Sequence, residues 1–336
     1  MDESRKIEVR EASQVGEARR AATYEAEHRG FSEATCGSVA IVATEMATNL
    51  IKHAQGGCLV LGPGAGGGLD LTAIDSGRGM YNVSECLRDG ISTAGTGGGG
   101  LGAIQRLAGL FDVYSHVDQG TVVYAGFGPA QSTSQSICAG ISLAKGGEPV
   151  CGDRWAFGCG PMFMDMVVAD GLGHGADAAV AARAAVEAWC LQHSQVGAAG
   201  LLEIAHRALR STRGAAVAYA RFNTATAMFT FAGLGNIGGA IVDLDCNTRH
   251  LLSYNGTVGV QARTFREFEY PVPKGAVVVL FSDGLVSRWD LTRYPGLLYR
   301  HPAVIAGVLW RDYTQGRDDV TVAVFRPPSE EGLCAV

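Results

Sequence analysis

The nine cysteines of this 336-residue chain stand singly, with no Cys-x-x-Cys pair among them. An odd set of scattered thiols argues against a zinc site or a disulfide framework and makes a reducing, cytoplasmic setting the default. Basic clusters are also missing. The 27 Lys and Arg are spread among 33 Asp and Glu, for a net charge of −6, which leaves no electrostatic footprint for nucleic acid. The opening residues, Met1-Asp2-Glu3-Ser4-Arg5-Lys6, are charged where a secretory signal is apolar, so no signal peptide is expected. No stretch approaches eighteen uninterrupted apolar residues, so no membrane span is expected either. Nothing in the pattern specifies an oligomeric state. Glycine, by contrast, is abundant at 47 residues. It clusters at 62–68 and 95–102 without a period, which excludes collagen and low-complexity sequence. The length is enough for two cores.

The first third predicts a helix over 13–29 capped by Ser13, and a second from Ser32 or Ala34 to Ala54. Val39, Val42, Met46 and Leu50 form the core stripe of the second. Glu45, Asn49 and His53 lie one turn apart on its neighbouring face. A hairpin is expected over 58–61 and 69–74, ending at Asp75-Ser76-Gly77-Arg78-Gly79. The glycine run 95–102, a helix over 103–110 and strands over 111–116 and 121–127 follow. Taken singly these signals are weak: a Glu and an Asn on a helix usually face solvent, and Asp-x-Gly-x-Gly is usually a turn. Their order is more specific. Glu45-x-x-x-Asn49, then Asp75-x-Gly77-x-Gly79, then a glycine loop opening a helix, resembles the N, G1 and G2 boxes of the GHKL ATPases across about residues 5–128. The wording around Glu45–Asn49, Gly90–Gly95 and Gly120–Val123 is most similar to the RsbT-type switch kinases, which phosphorylate serine or threonine on STAS-domain proteins.

That resemblance implies ATP with Mg²⁺. Asn49 would offer an oxygen to the cation, and Glu45 would orient or deprotonate the attacking hydroxyl. Asp75 would accept from the adenine amino group, with Gly77 and Gly79 admitting the ring and Thr121 supporting it. The backbone of Gly97, Gly98, Gly99, Gly100, Leu101 and Gly102 would cradle phosphates. His53 is expected to be structural.

Residues 129–136, polar with Pro and Ser, predict a linker. Beyond them strands dominate: 137–144, 155–160, 162–169, 216–222, 226–232, 238–244, 250–254, 265–271, 276–282 and 320–326. Helices are expected over 176–192, 200–209 and 303–312. The match Gly233-Leu234-Gly235-Asn236-Ile237-Gly238 fits a dinucleotide fingerprint in letters alone. A strand follows where a helix is needed, so it predicts a strand-to-strand connection. Aspartates abut apolar runs four times: Gly152-Asp153, Asp170-Gly171-Leu172-Gly173-His174-Gly175, Ser282-Asp283-Gly284 and Arg317-Asp318-Asp319-Val320-Thr321. A lone carboxylate at a strand end, with glycine beside it, suits a hard cation. Together and in this order they resemble the PPM-type protein phosphatases, more narrowly the SpoIIE/RsbX branch, over about 137–327. The resemblance implies two Mn²⁺ or Mg²⁺ ions held by Asp153, Asp170, the Gly171 carbonyl, Asp283 and Asp318, with Asp170 bridging and catalytic. Asp319 is a ligand or a supporting residue, Arg154 is expected at the surface rather than on the phosphate, and His174 is expected to shape the turn or the helix start rather than ligate.

The expected fold class is α+β in two domains: a GHKL α/β sandwich over 1–128, the linker 129–136, a PPM-type β-sandwich flanked by helices over 137–327, and a tail 328–336. The implied function is bacterial partner switching. The phosphatase would remove phosphate from serine or threonine on a STAS-type anti-anti-sigma or stressosome protein, and the ATPase domain would phosphorylate the same or a related partner. The alternative is that the ATPase-like domain is a nucleotide-sensing or protein-binding switch acting on the phosphatase in cis. A scaffold with dead sites is the third.

Overall fold

The computed structural model describes residues 4–87, 100–128, 137–160 and 162–328. They divide into two compact units: residues 1–139 with 293–312, and residues 140–292 with 313–336.

The first unit runs β1 (Arg5–Val9), α1 (Ala12–His28), α2 (Glu33–Ala54), β2 (Gly57–Gly64), β3 (Gly68–Asp75), α3 (Val83–Cys86), α4 (Gly100–Leu107), β4 (Leu110–Ser115) and β5 (Thr121–Phe127). The strands form one antiparallel sheet in the order β1-β2-β3-β5-β4. Helix α2 starts where Ser32 accepts the Thr35 amide at 3.2 Å and stops at Gln55, which is left-handed. By length and hydropathy α2 passes for a membrane-crossing helix. Its stripe of Val39, Val42, Met46 and Leu50 is, however, buried in this unit's core. Ser13 is not the cap of α1. Glu11 takes that place, and the Gln14 side chain accepts from the Arg10 and Glu11 amides at 2.6 and 3.0 Å.

Leu59, Leu61, Leu69, Leu71, Ala73, Val123 and Ala125 pack with α1 and α2 in the core. The opposite parity, Cys58, Val60, Thr72, Ile74, Val122 and Tyr124, is buried as well. A sheet covered on both faces reads as continuous apolar runs rather than alternation, and Thr121–Phe127 does so. The second cover comes from residues 293–312. In the helix Pro302–Tyr313 a β-carbon on Gly307 would lie 2.8 Å from Val122 Cγ1. His301 stacks on Tyr124 at 4.2 Å, and its amide donates to Asp112 Oδ2 at 2.6 Å. This helix was expected within a continuous run from 137 to 327. It groups instead with the first unit, because the second face of that sheet has apolar area to bury.

The second unit holds β6 (Cys138–Leu143), β7 (Asp153–Gly160), β8 (Phe163–Gly171), α5 (Ala176–Gln192), α6 (Ala198–Ala208), β9 (Ala215–Asn223), β10 (Met228–Leu234), β11 (Gly238–Val242), β12 (Thr248–His250), β13 (Ser253–Tyr254), β14 (Phe268–Pro271), β15 (Val277–Phe281) and β16 (Val320–Phe325). One sheet is ordered β13-β10-β9-β8-β7, with β14 also on β10; the other is β12-β11-β15-β16-β6. The single strand expected over 250–254 is two strands in different sheets. The Leu251 amide bonds the Gly239 carbonyl at 2.8 Å, and the chain crosses there. On α5, Ala181, Ala182 and Ala185 are buried against Val167, Val217 and Tyr219. Small residues allow the close approach: a β-carbon on Gly171 would lie 2.0 Å from the Ala178 carbonyl oxygen.

Gly307→Leu is expected to destabilise the protein by about 1–3 kcal/mol through overpacking against Val122, read as a lower urea midpoint. An unchanged midpoint would mean the helix does not rest on that sheet.

Candidate active sites

In the first unit the residues of the expected nucleotide site lie on α2, α4 and the strand ends of β3 and β5. Glu45 and Asn49, one turn apart on α2, face the start of α4. A β-carbon on Gly100 would lie 3.3 Å from Asn49 Oδ1 and 3.7 Å from Glu45 Oε2. The helix expected over 103–110 begins three residues earlier, at Gly100, so Gly100, Leu101 and Gly102 already belong to its first turn. A helix start beside a carboxylate and an amide suits a phosphate–cation pair. Gly97, Gly98 and Gly99, like the segment 90–95, lie outside the described residues.

Asp75, the last residue of β3, has one oxygen engaged by the protein. Its Oδ1 accepts the Gly77 amide at 2.8 Å and the Thr121 amide at 3.1 Å. No hydrogen bond to Oδ2 is found among the described residues, and that oxygen is the one able to accept from a base. Burial raises the carboxyl pKa, opposed by the two amides and by Arg311, whose Nη1 donates to the Asp75 carbonyl at 3.2 Å. Gly79 is left-handed, and a β-carbon there would meet the His116 carbonyl oxygen at 2.0 Å. Thr121 Oγ1 pairs with Ser115 Oγ at 2.8 Å. His53 is exposed beside this group, and partial burial with the nearby Arg78 lowers its pKa. A polar cavity of about 430 Å³ lies alongside, lined by Ser76, Asp118, Gln119, Arg293, Tyr294, Arg311 and Asp312.

In the second unit Asp153 and Asp170 are register partners on the antiparallel pair β7–β8. Asp153 is 2 % exposed; its Oδ2 accepts the Ser282 hydroxyl at 2.6 Å, and its Oδ1 is buried with no hydrogen bond of good geometry found among the described residues. Ser282 Oγ in turn accepts the Thr321 amide at 2.8 Å. Burial, then the charges of Asp153, Asp283 and Asp318, raise the Asp170 pKa strongly. Burial, with Asp319 and Asp283, does the same to Asp153 against the Ser282 bond. The carboxyl of the accessible Asp283 is raised by partial desolvation and by Asp318. The four expected carboxylates therefore share one electrostatic site, with Gly171 beside Asp170. Among the described residues no three His, Cys, Asp or Glu side chains close into a ready cage. A hard cation that keeps most of its waters needs only one or two carboxylates, and a buried orphan oxygen on Asp153 fits such a group.

Asp319 has both oxygens engaged by the backbone: its Oδ1 and Oδ2 accept the Lys145 and Gly152 amides at 2.7 and 2.8 Å, fixing the loop before Asp153. Arg154, expected at the surface, is 6 % exposed, because residue 154 lies inside the β7–β8 ladder. His174 pairs with Glu148 at 2.7 Å. Three residues of the site carried no role in the sequence reading: Ser282, Thr321 and Asn236, whose Nδ2 donates to Asp283 Oδ2 at 2.6 Å. Ser282 and Thr321 were signalled by lying inside the aspartate motifs. Asn236 lay in the discarded glycine match.

Residues 8–127 match the family of histidine kinase-like ATPase domains, and residues 163–328 match the stage II sporulation protein E (SpoIIE) family. The chain thus carries a histidine kinase-like ATPase domain followed by a SpoIIE-type phosphatase domain. Its first domain is homologous to the serine/threonine-protein kinase RsbT of Bacillus subtilis (strain 168), 29% identical over 103 residues, 30% of this chain and 77% of RsbT. A solved structure described as the bacterial stressosome, a modular system adapted to control secondary messenger signaling, superposes with a TM-score of 0.51 at 26% identity. It covers 56% of this chain and 98% of that one. RsbX in complex with magnesium gives 0.47 at 20% identity, over 56% of this chain and 92% of RsbX.

A carboxyl pKa raised on folding contributes stability that is full below the ordinary carboxylate range and is lost as pH rises through the raised value. Without divalent cation the second unit is thus expected to lose stability from about pH 5 towards alkaline pH. Asp70 in the first unit, pushed up to about 7 by burial, acts with the same sign. Denaturant unfolding in chelator across this range checks it: Asp170→Asn flattens the second unit's share, and Mn²⁺ restores stability at high pH.

Proposed function

We propose that the chain is a metal-dependent protein phosphatase acting on phosphoserine or phosphothreonine of a STAS-type anti-anti-sigma or stressosome protein in the cytoplasm, and that its first domain, residues 1–128, is an ATP-dependent kinase for the same or a related partner. The phosphatase would be the second domain, 137–327 less the excursion 293–312 that groups with the first unit. The observation that carries the reading is the shared carboxylate site, in which the charges of Asp153, Asp283 and Asp318 all act on the largely buried Asp170. Asp153, Asp170, the Gly171 carbonyl, Asp283 and Asp318 are the residues that would hold two Mn²⁺ or Mg²⁺ ions, with Asp170 between them. Such ions, when bound, activate water and offset charge at phosphorus. The chain's own residues keep the carboxylates together: Ser282 orients Asp153, and Asp319 pins the loop before it.

In the first domain Asp75 would take the adenine amino group on Oδ2, and Asn49 would serve the Mg²⁺ of ATP. The amides at Gly97–Gly102 would serve the phosphates. Glu45 would take the proton of the partner's attacking hydroxyl. Opposed kinase and phosphatase activities on one residue cycle ATP without result, so reciprocal control is expected.

A second reading is favoured by one feature. Between Asp283 and Asp318 the chain contributes residues 293–312 to the first unit, where Arg311 donates to the Asp75 carbonyl. On this reading the ATPase domain senses nucleotide and acts on the phosphatase in cis.

Hydrolysis of p-nitrophenyl phosphate is expected to require Mn²⁺ or Mg²⁺ and to fall by a hundredfold or more (about 2.7 kcal/mol in transition-state terms) in Asp170→Asn or Asp283→Asn. Retained turnover would sink the metal assignment. Glu45→Ala should stop phosphate transfer to a STAS-domain partner while leaving ATP binding intact. ATP that changes the hydrolysis rate without labelling a partner supports the second reading, and Arg311→Ala should then remove the ATP effect and spare the basal rate.

A further inference from the structure

We infer that Asn236 is a positioning residue for Asp283, its side-chain amide holding that carboxylate in the orientation the cation site uses. The inference rests on the phosphatase reading above. Asp283 follows directly on β15 and is solvent-accessible, with the Asp318 charge close by. Two tethers act on it. The Gln315 side chain donates to its carbonyl at 2.9 Å and fixes the backbone. The carboxylate itself is turned by Asn236, whose Nδ2 reaches Oδ2 at 2.6 Å.

The fold brings Asn236 there by register. β11 and β15 are antiparallel with Gly238 opposite Phe281, and two residues further out the same register sets position 236 opposite 283. The glycines make that approach possible. A β-carbon on Gly238 would meet the Phe281 ring at 2.4 Å. Gly235 is left-handed, and a β-carbon there would meet Ala216 Cβ at 2.5 Å. The Gly235 amide is bonded to the Tyr254 carbonyl at 2.8 Å, and the Ile237 carbonyl takes the Ser253 hydroxyl at 2.9 Å. Asn236 is therefore presented from a connection anchored on both sides. An amide is the fitting group: it donates without adding another negative charge to carboxylates that already repel. It also leaves Asp283 Oδ1 for a cation.

The test uses the full chain freed of metal by chelator. Mn²⁺ binding is measured directly by the loss of the free-ion electron paramagnetic resonance signal, beside the Mn²⁺ activation curve for p-nitrophenyl phosphate. Asn236→Ala is expected to weaken Mn²⁺ binding by about 10–100-fold, to shift the activation curve equally, and to return to within a few-fold of wild-type kcat at saturating Mn²⁺. Asn236→Asp, which keeps the size and removes the donor, should weaken binding at least as much. Wild-type Mn²⁺ affinity in both variants, with affinity lost in Asp283→Asn, overturns the role of Asn236 and leaves the phosphatase reading standing. Wild-type affinity in Asp283→Asn as well overturns the cation site itself.

Discussion

The register pair Asp153–Asp170 sets two carboxylates side by side at the end of a sheet, where burial and mutual repulsion both oppose their ionisation. Holding them there requires a frame that does not relax. β7, β8 and β9 form consecutive antiparallel ladders, and α5 lies so close that Gly171 has no room for a side chain. Neutral donors complete the frame. Ser282, itself fixed by the Thr321 amide, serves Asp153; two backbone amides serve Asp319; Asn236 serves Asp283. None of these donors carries a charge, so none of them offsets the repulsion among the carboxylates. A site made this way is costly without metal and is stabilised by whatever neutralises it.

The candidate nucleotide site of the first unit is built differently. Asp75 is bonded by two backbone amides, and the remaining groups are glycines that clear space or a helix start that offers its amides. Gly79 and Gly120 are both left-handed, and each passes within about 2 Å of a backbone carbonyl as measured to an imagined β-carbon, at His116 and Asp75 respectively. Side chains are excluded at both positions, and no hydrogen bond to Asp75 Oδ2 is found among the described residues.

How much of this was legible follows from the kind of interaction. Helix α2, its stripe and its Ser32 start follow from a 3.6-residue period and a cap, both local, and strands 121–127 and 176–192 as a helix are bounded by turn signals. The four aspartate motifs were readable because each carboxylate sits next to its own strand. Contacts across the chain were not. Asn236 meets Asp283 through a register that no local pattern encodes, and its glycines carried a stronger but misleading dinucleotide signal. Arg154 was misplaced because a charged side chain beside a strand end is normally exposed, and only the ladder shows it enclosed. The capping of α1 by Glu11 and Gln14 was hidden behind the better-known preference for serine.

The excursion of residues 293–312 is the largest departure from sequence order, and it too left a trace. Strands β2, β3 and β5 are apolar on both parities, which a sheet with helices on one side alone cannot satisfy without exposing Val60, Ile74 and Val122 to water. Burial of such side chains is worth about 1.5–3 kcal/mol each, so a cover was required, though nothing in those strands says which segment supplies it. The answer has a consequence for the chemistry. The segment chosen is the one bounded in sequence by Asp283 and Asp318, and Arg311 within it is bonded to Asp75. A helix recruited anywhere else would bury the same area. Recruited here, it places the chain between two candidate cation ligands in the same packed body as the candidate adenine carboxylate.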